Sequence, residues 1–152
     1  RARRQLPANA SALRPRRDSA AYEALRDRAT AYAAQHGSAP AVTVRTLGSQ
    51  RDFGARQLFV ATLLAAGGVL AGEEGSPVAI IASSTKAYAE HAAQSVAELR
   101  AAGAQRVLVA GRARELPEDV QVDGEVYDGM DVVAFLRDVL DRIGAPAEGA
   151  GQ

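Results

Sequence analysis

The run Val78–Ala82 (VAIIA) is the most apolar in the chain and constrains the fold most tightly. A short continuous apolar run of this kind suits a central strand of a parallel sheet, buried on both faces. Turn residues Gly75–Ser76–Pro77 precede it, and Ser83–Ser84–Thr85 follow it. Other strand signals lie on either side. Ala41–Leu47 (AVTVRTL) is β-branched and short, Val69–Ala71 is brief, Arg106–Ala110 (RVLVA) is apolar, and Glu125–Tyr127 is the last.

Helical spacing fills the gaps between these strands. Ala21, Tyr22, Leu25, Ala29 and Tyr32 predict a leading helix, capped by Asp18 or Ser19 and stopped at Gly37. Phe53, Leu58, Phe59, Thr62, Leu63 and Ala66 predict a second helix over Asp52–Ala66, ended by Gly67–Gly68. Thr85 can cap a third, from Lys86 to about Ala102. The closing helix runs from Asp131 to about Ile143, with Val132, Val133, Phe135, Leu136, Val139 and Leu140 facing inward. One helical turn is expected near Pro117. Strands alternating with helices imply a parallel sheet with right-handed crossovers and helices on both faces. The predicted fold class is α/β, a flavodoxin-like five-stranded parallel sheet of order 2-1-3-4-5, preceded by a linker and one helix. A Rossmann-type half is the alternative.

Composition narrows the function. The 152 residues suit one domain, and 47% hydrophobic residues supply a core. No apolar run approaches the roughly 18–20 residues of a membrane helix, so no membrane association is expected. Zero Cys excludes disulfides, thiolate metal sites and a Cys nucleophile. Two histidines far apart, His36 and His91, leave little for zinc or copper. A formal net charge of zero gives no broad attraction for nucleic acid. No signal peptide is visible, and a cytoplasmic location is the default expectation. Basic charge is almost all Arg, with Lys86 the only lysine. Residues 1–18 are basic and broken by Pro7 and Pro15, a solvated linker or a docking strap. The start at Arg1 reads as a piece of something longer. Residues 144–152, rich in Gly, Ala and Pro, read as a flexible tail.

In an open α/β sheet, ligands bind at the carboxyl ends of the strands, near the point where strand order reverses. Three loops form that rim here: Gly48–Gly54, Ser83–Thr85 and Gly111–Arg114. The first, GSQRDFG, fails the GxGxxG pattern of dinucleotide sites and has no P-loop lysine. Asp52 stands alone, without the acidic cluster of a receiver domain. Ser83–Ser84 lacks the GxSxG frame of a serine hydrolase. Ser83–Thr85 therefore reads as a helix cap or as a small-ligand contact. His91, mid-helix beside Glu90, reads as a surface histidine.

Three segments carry a resemblance: LGSQRDFGARQLFVATLLAAGGV, IIASSTKAYAEHAAQSVAELRAAGAQRVLVAGR and YDGMDVVAFLRDVL. Together they closely resemble the C-terminal, cobalamin-binding-type domain of the methylmalonyl-CoA mutase small (beta) subunit. The earlier PRRDSAAYEALRDRATAYAAQHGSAPAV resembles the segment that follows the TIM barrel in that subunit. The similarity spans roughly residues 14–143. It divides the chain into a basic linker (1–18), a leading helix and connection (19–40), a cobalamin-binding-like α/β domain (41–143) and the tail (144–152).

Family members that bind cobalamin carry a DxHxxG loop after strand 1, whose His becomes the lower cobalt ligand. A Ser-containing loop after strand 3 and a glycine pair after strand 4 accommodate the nucleotide tail. In this chain Ser49 stands where the Asp would be and Arg51 where the His would be, while Gly54 keeps its place. Ser83 remains, followed by Ser84, and Gly111 is one glycine of the pair. A guanidinium is cationic and has no lone pair for cobalt. The resemblance thus implies a degenerate site (Ser49, Arg51, Gly54, Ser83, Ser84, Gly111), with no catalytic residue, no metal and no cofactor bound by this chain. It also implies a heterodimer, in which a large (alpha) subunit holds adenosylcobalamin and isomerises methylmalonyl-CoA and succinyl-CoA. Two alternatives stay open. One is a cobalamin carrier without a protein axial ligand. The other is a flavodoxin-like small-molecule binder that holds a phosphate through Thr46, Ser49, Ser83 and Ser84.

Overall fold

The computed structural model describes residues 16–148 of the 152. The expected basic linker lies outside the described residues up to Pro15. Helix α1 spans Arg16–His36, so Asp18 and Ser19 sit inside its first turn instead of capping it. There follow β1 (Ala41–Thr46), α2 (Gln50–Ala65), β2 (Leu70–Gly72), β3 (Val78–Ala82), α3 (Thr85–Ala101), β4 (Arg106–Ala110), a 3₁₀ turn (Ala113–Glu115), β5 (Gly124–Val126) and α4 (Val132–Ile143). All strand pairs are parallel, and the sheet order is β2-β1-β3-β4-β5. This is the flavodoxin-like arrangement.

The central strand does what its composition demands. Every residue of Val78–Ala82 is buried, and alternate side chains enter opposite layers. Ile80 packs with Leu25, Val60, Leu64, Leu136 and Leu140 beneath α1, α2 and α4. Ile81 packs with Tyr88, Val96, Leu99 and Val109 beneath α3. Each fully buried Leu, Ile or Val contributes about 1.5–3 kcal/mol of transfer free energy, so these two layers dominate the stability.

Coverage of the α3 face is incomplete. Only residues 73–77, with no helix, carry the chain from β2 to β3. Gly75, at φ +95°, makes the tight turn possible. A crossover helix would otherwise lie over β1 and β2. Leu70, register partner of Ala41 on that face, is left 57% exposed.

Polar contacts tie the segment after α4 to α1 and to α4. Arg28 of α1 is 5% exposed. Its guanidinium donates to Asp141 Oδ1 at 2.7 Å, to the Pro146 carbonyl at 2.7 Å and to the Ala145 carbonyl at 3.3 Å. Arg137 pairs with Glu148 at 2.7 Å. Residues 144–148, a loose tail by composition, are thus bonded to α1 and α4 as far as Glu148. Gly144 (φ +97°) ends α4 with its N–H bonded to the Leu140 carbonyl.

Candidate functional site

The carboxyl ends of β1, β3 and β4 converge on the rim where the sequence placed its candidate residues. The first loop is shorter than the glycine spacing suggests. Helix α2 starts at Gln50, so Arg51 and Gly54 lie in its first turns, and only Leu47–Ser49 connect it to β1. Asp52 causes the early start. Its Oδ2 accepts from the Ser49 N–H and the Ser49 hydroxyl, both at 3.0 Å. These bonds, the Ser49 N–H first, hold the Asp52 carboxyl below its ordinary value. The Ser84 hydroxyl reaches the other Asp52 oxygen at 3.3 Å and accepts from the Ala87 N–H at 3.1 Å. Ser84, not Thr85, is therefore the cap of α3.

Ser83 faces inward. It is fully buried, and its hydroxyl donates to the Leu47 carbonyl at 2.6 Å. Its N–H donates to the Tyr88 hydroxyl at 3.0 Å, which in turn donates to the Ala110 carbonyl at 2.6 Å. Burial pushes the Tyr88 phenol up, with the Ser83 N–H working against that shift.

The centre of the rim belongs to three residues that the sequence reading did not single out: Arg56, Glu115 and Tyr88. Arg56 Nη1 lies within hydrogen-bond distance of the Ser83 carbonyl (3.0 Å), the Ala110 carbonyl (2.9 Å) and Glu115 Oε1 (2.7 Å). Nη2 reaches Glu115 Oε2 at 3.3 Å. Glu115 is held in turn by the Thr85 hydroxyl at 2.8 Å and the Arg112 N–H at 3.0 Å. Burial disfavours both charges, but their mutual bonds prevail: the Glu115 carboxyl is lowered and the Arg56 guanidinium raised from their ordinary values. Gly111, at φ +116°, lies directly against this pair. A Cβ on it would stand 2.5 Å from Arg56 Nη1 and 2.7 Å from Glu115 Oε2.

Ser49, Ser83, Ser84 and Gly111 thus gather on one self-bonded rim. Arg51 and Gly54 do not join it. Arg51 is exposed, and its side chain makes no hydrogen bond or ion pair among the described residues. On the β4 side of the rim a cavity of about 290 Å³ opens over the ends of β4 and β5, lined by Arg56, Phe59, Gly111, Arg112, Glu115 and Tyr127 among others. Arg112 lies over the Tyr127 ring at 4.0 Å. The His91 ring is half exposed, 3.6 Å from Glu90. No group of three His, Cys, Asp or Glu that could hold a metal occurs among the described residues. Nor is any described helix long and apolar enough to cross a membrane.

No family model matches the chain. Curated relatives do. It is 39% identical over 147 residues to the methylmalonyl-CoA mutase small subunit of Streptomyces virginiae, covering 86% of this chain and 23% of that protein. It is 33% identical over 148 residues to the small subunit of Propionibacterium freudenreichii subsp. shermanii, covering 84% and 23%. It is 33% identical over 147 residues to the probable small subunit of Mycobacterium tuberculosis, covering 86% and 24%. The chain therefore spans about a quarter of the length of these relatives and matches their C-terminal part. With a third or more of its positions identical along most of its length, the chain is a homologue of the C-terminal domain of methylmalonyl-CoA mutase small subunits.

Proposed function

We propose that the chain is the C-terminal domain of the non-catalytic small subunit of a heterodimeric, adenosylcobalamin-dependent methylmalonyl-CoA mutase. Its role is structural: it supports assembly with a large subunit that holds the cofactor and isomerises methylmalonyl-CoA and succinyl-CoA. The observation that carries this reading is that the rim's polar groups are bonded to one another. Arg56 and Glu115 stand over Gly111, where a nucleotide tail would need free space. The residues present do not fit a cobalamin. The side chain at the position of the lower cobalt ligand, Arg51, is a cation pointing into solvent. The Ser83 hydroxyl is spent on Leu47.

The same contacts weigh against a phosphate held through Thr46, Ser49, Ser83 and Ser84. Two of those hydroxyls donate to the Asp52 carboxylate, which would repel an anion.

Native mass spectrometry of the small subunit co-expressed with a catalytic large subunit tests the proposal. One cobalamin per heterodimer, and less heterodimer when this domain is deleted, are the expected results. Two cobalamins per heterodimer, or unchanged assembly after the deletion, would contradict it.

A further inference from the structure

We propose that Arg56 acts as an internal ligand, seated in a guanidinium-binding cup that four separate segments of the chain build at the ends of β3 and β4. The cup has its own chemistry. Two carbonyls, Ser83 O and Ala110 O, come from the residue after β3 and the last residue of β4, and a carboxylate comes from the 3₁₀ turn. The Tyr88 ring lies 5.9 Å from the guanidinium carbon, within range of a cation–π contact. The parts are fixed by other residues: Glu115 by Thr85 and the Arg112 N–H, Ser83 and Ala110 by the Tyr88 hydroxyl. Gly111 supplies the space, since a side chain there would displace Arg56 Nη1.

Every one of these groups except the aromatic face is a hydrogen-bond acceptor: three meet at Nη1, and the second Glu115 oxygen reaches Nη2. Such a set recognises a cation, not an anion, and the Glu115 carboxylate, which meets both Nη atoms, favours a planar fork over a compact ammonium. Arg56 enters from α2, so the cup also joins α2 to the ends of two strands and to the turn after β4. A side chain of the chain itself thereby links segments that a bound molecule would otherwise bridge. The inference rests on the rim taking no ligand from solution, and its test uses no cobalamin, so the two can fail separately.

The test is chemical rescue of Arg56→Ala in the 152-residue chain, with millimolar ethylguanidinium as the probe and ethylammonium and NaCl at equal ionic strength as controls. The variant should melt roughly 5–10 °C below the parent, because truncation removes the cation paired with Glu115 and leaves the Ser83 carbonyl without its donor. Ethylguanidinium should restore a third or more of that loss in a saturable manner and shift the Gly111 and Glu115 amide resonances. It should leave the parent unchanged. Arg56→Lys, which keeps the charge and loses the fork, should remain less stable than the parent, and this comparison decides the matter if Arg56→Ala does not fold. Equal rescue by ethylammonium, no rescue of a folded Arg56→Ala, or an Arg56→Lys chain as stable as the parent would overturn the inference.

Discussion

The Ser83 hydroxyl donates to the Leu47 carbonyl at 2.6 Å from a fully buried position, stitching the end of β3 to the end of β1. Those two strands flank the point from which the sheet order β2-β1-β3-β4-β5 runs in opposite directions, where α/β folds usually open a ligand crevice. Here a hydrogen bond bridges it. Ser83→Ala would leave a buried carbonyl without its partner, at a cost of about 1–3 kcal/mol. Urea denaturation should show a lower midpoint with an unchanged slope.

Restoring the missing imidazole should not restore a cobalt site. Arg51 lies in the first turn of α2, exposed, while Arg56 and Glu115 fill the rim beside it. Arg51→His is expected to leave the absorbance spectrum of added cobalamin unchanged. A spectral shift on mixing would show that the ligand residue alone is what the site lacks.

Arg28 joins α1 to the segment after α4. Arg28→Ala strands the Asp141 carboxylate and the Ala145 and Pro146 carbonyls. Since Asp141 itself is largely exposed, the loss should be about 2–3 kcal/mol, short of that for a fully buried pair. Hydrogen exchange should speed up in α1 and in residues 141–148 and stay slow in β3 and β4.

How much of this was legible beforehand differs by element, for physical reasons. Val78–Ala82 and Arg106–Ala110 match the structure to the residue, because strands buried on both faces need unbroken apolar runs. The edge strands β2 and β5 each sit one residue away from their predicted ranges, Leu70–Gly72 against 69–71 and Gly124–Val126 against 125–127. Three residues at a sheet edge carry too little periodicity to fix their limits. Helix α2 starts two residues before the expected Asp52 because the decisive signal is the Ser49–Asp52 pair, three residues apart, and the apolar pattern begins only later. The rim itself was half readable. The expected strand ends put Ser83, Ser84 and Gly111 in loops at the rim. Arg56 and Glu115 are 59 residues apart, and no local pattern announces a pair that only the sheet topology brings together.

Acid should unfold the chain through its paired carboxylates. Glu115, Glu98, Asp52, Asp123 and Glu148 all titrate below their ordinary values when folded. Each therefore binds its proton more readily in the unfolded chain. Their stabilisation is fully present above the unfolded values, near pH 4, and is lost as the pH falls through the lower folded ones. Thermal midpoints should be level from about pH 7 to 5 and drop steeply below about pH 4. Glu115→Gln should be less stable at neutral pH and show a shallower acid decline. An equally steep decline in that variant would show that Glu115 contributes little to it.

The central claim is that the rim is closed by the chain's own side chains and takes no corrinoid. Titration of the 152-residue chain with adenosylcobalamin, followed by equilibrium dialysis and absorbance, tests it most directly. No saturable binding and no spectral change through the micromolar range is the result expected. Stoichiometric binding at micromolar concentration would contradict it.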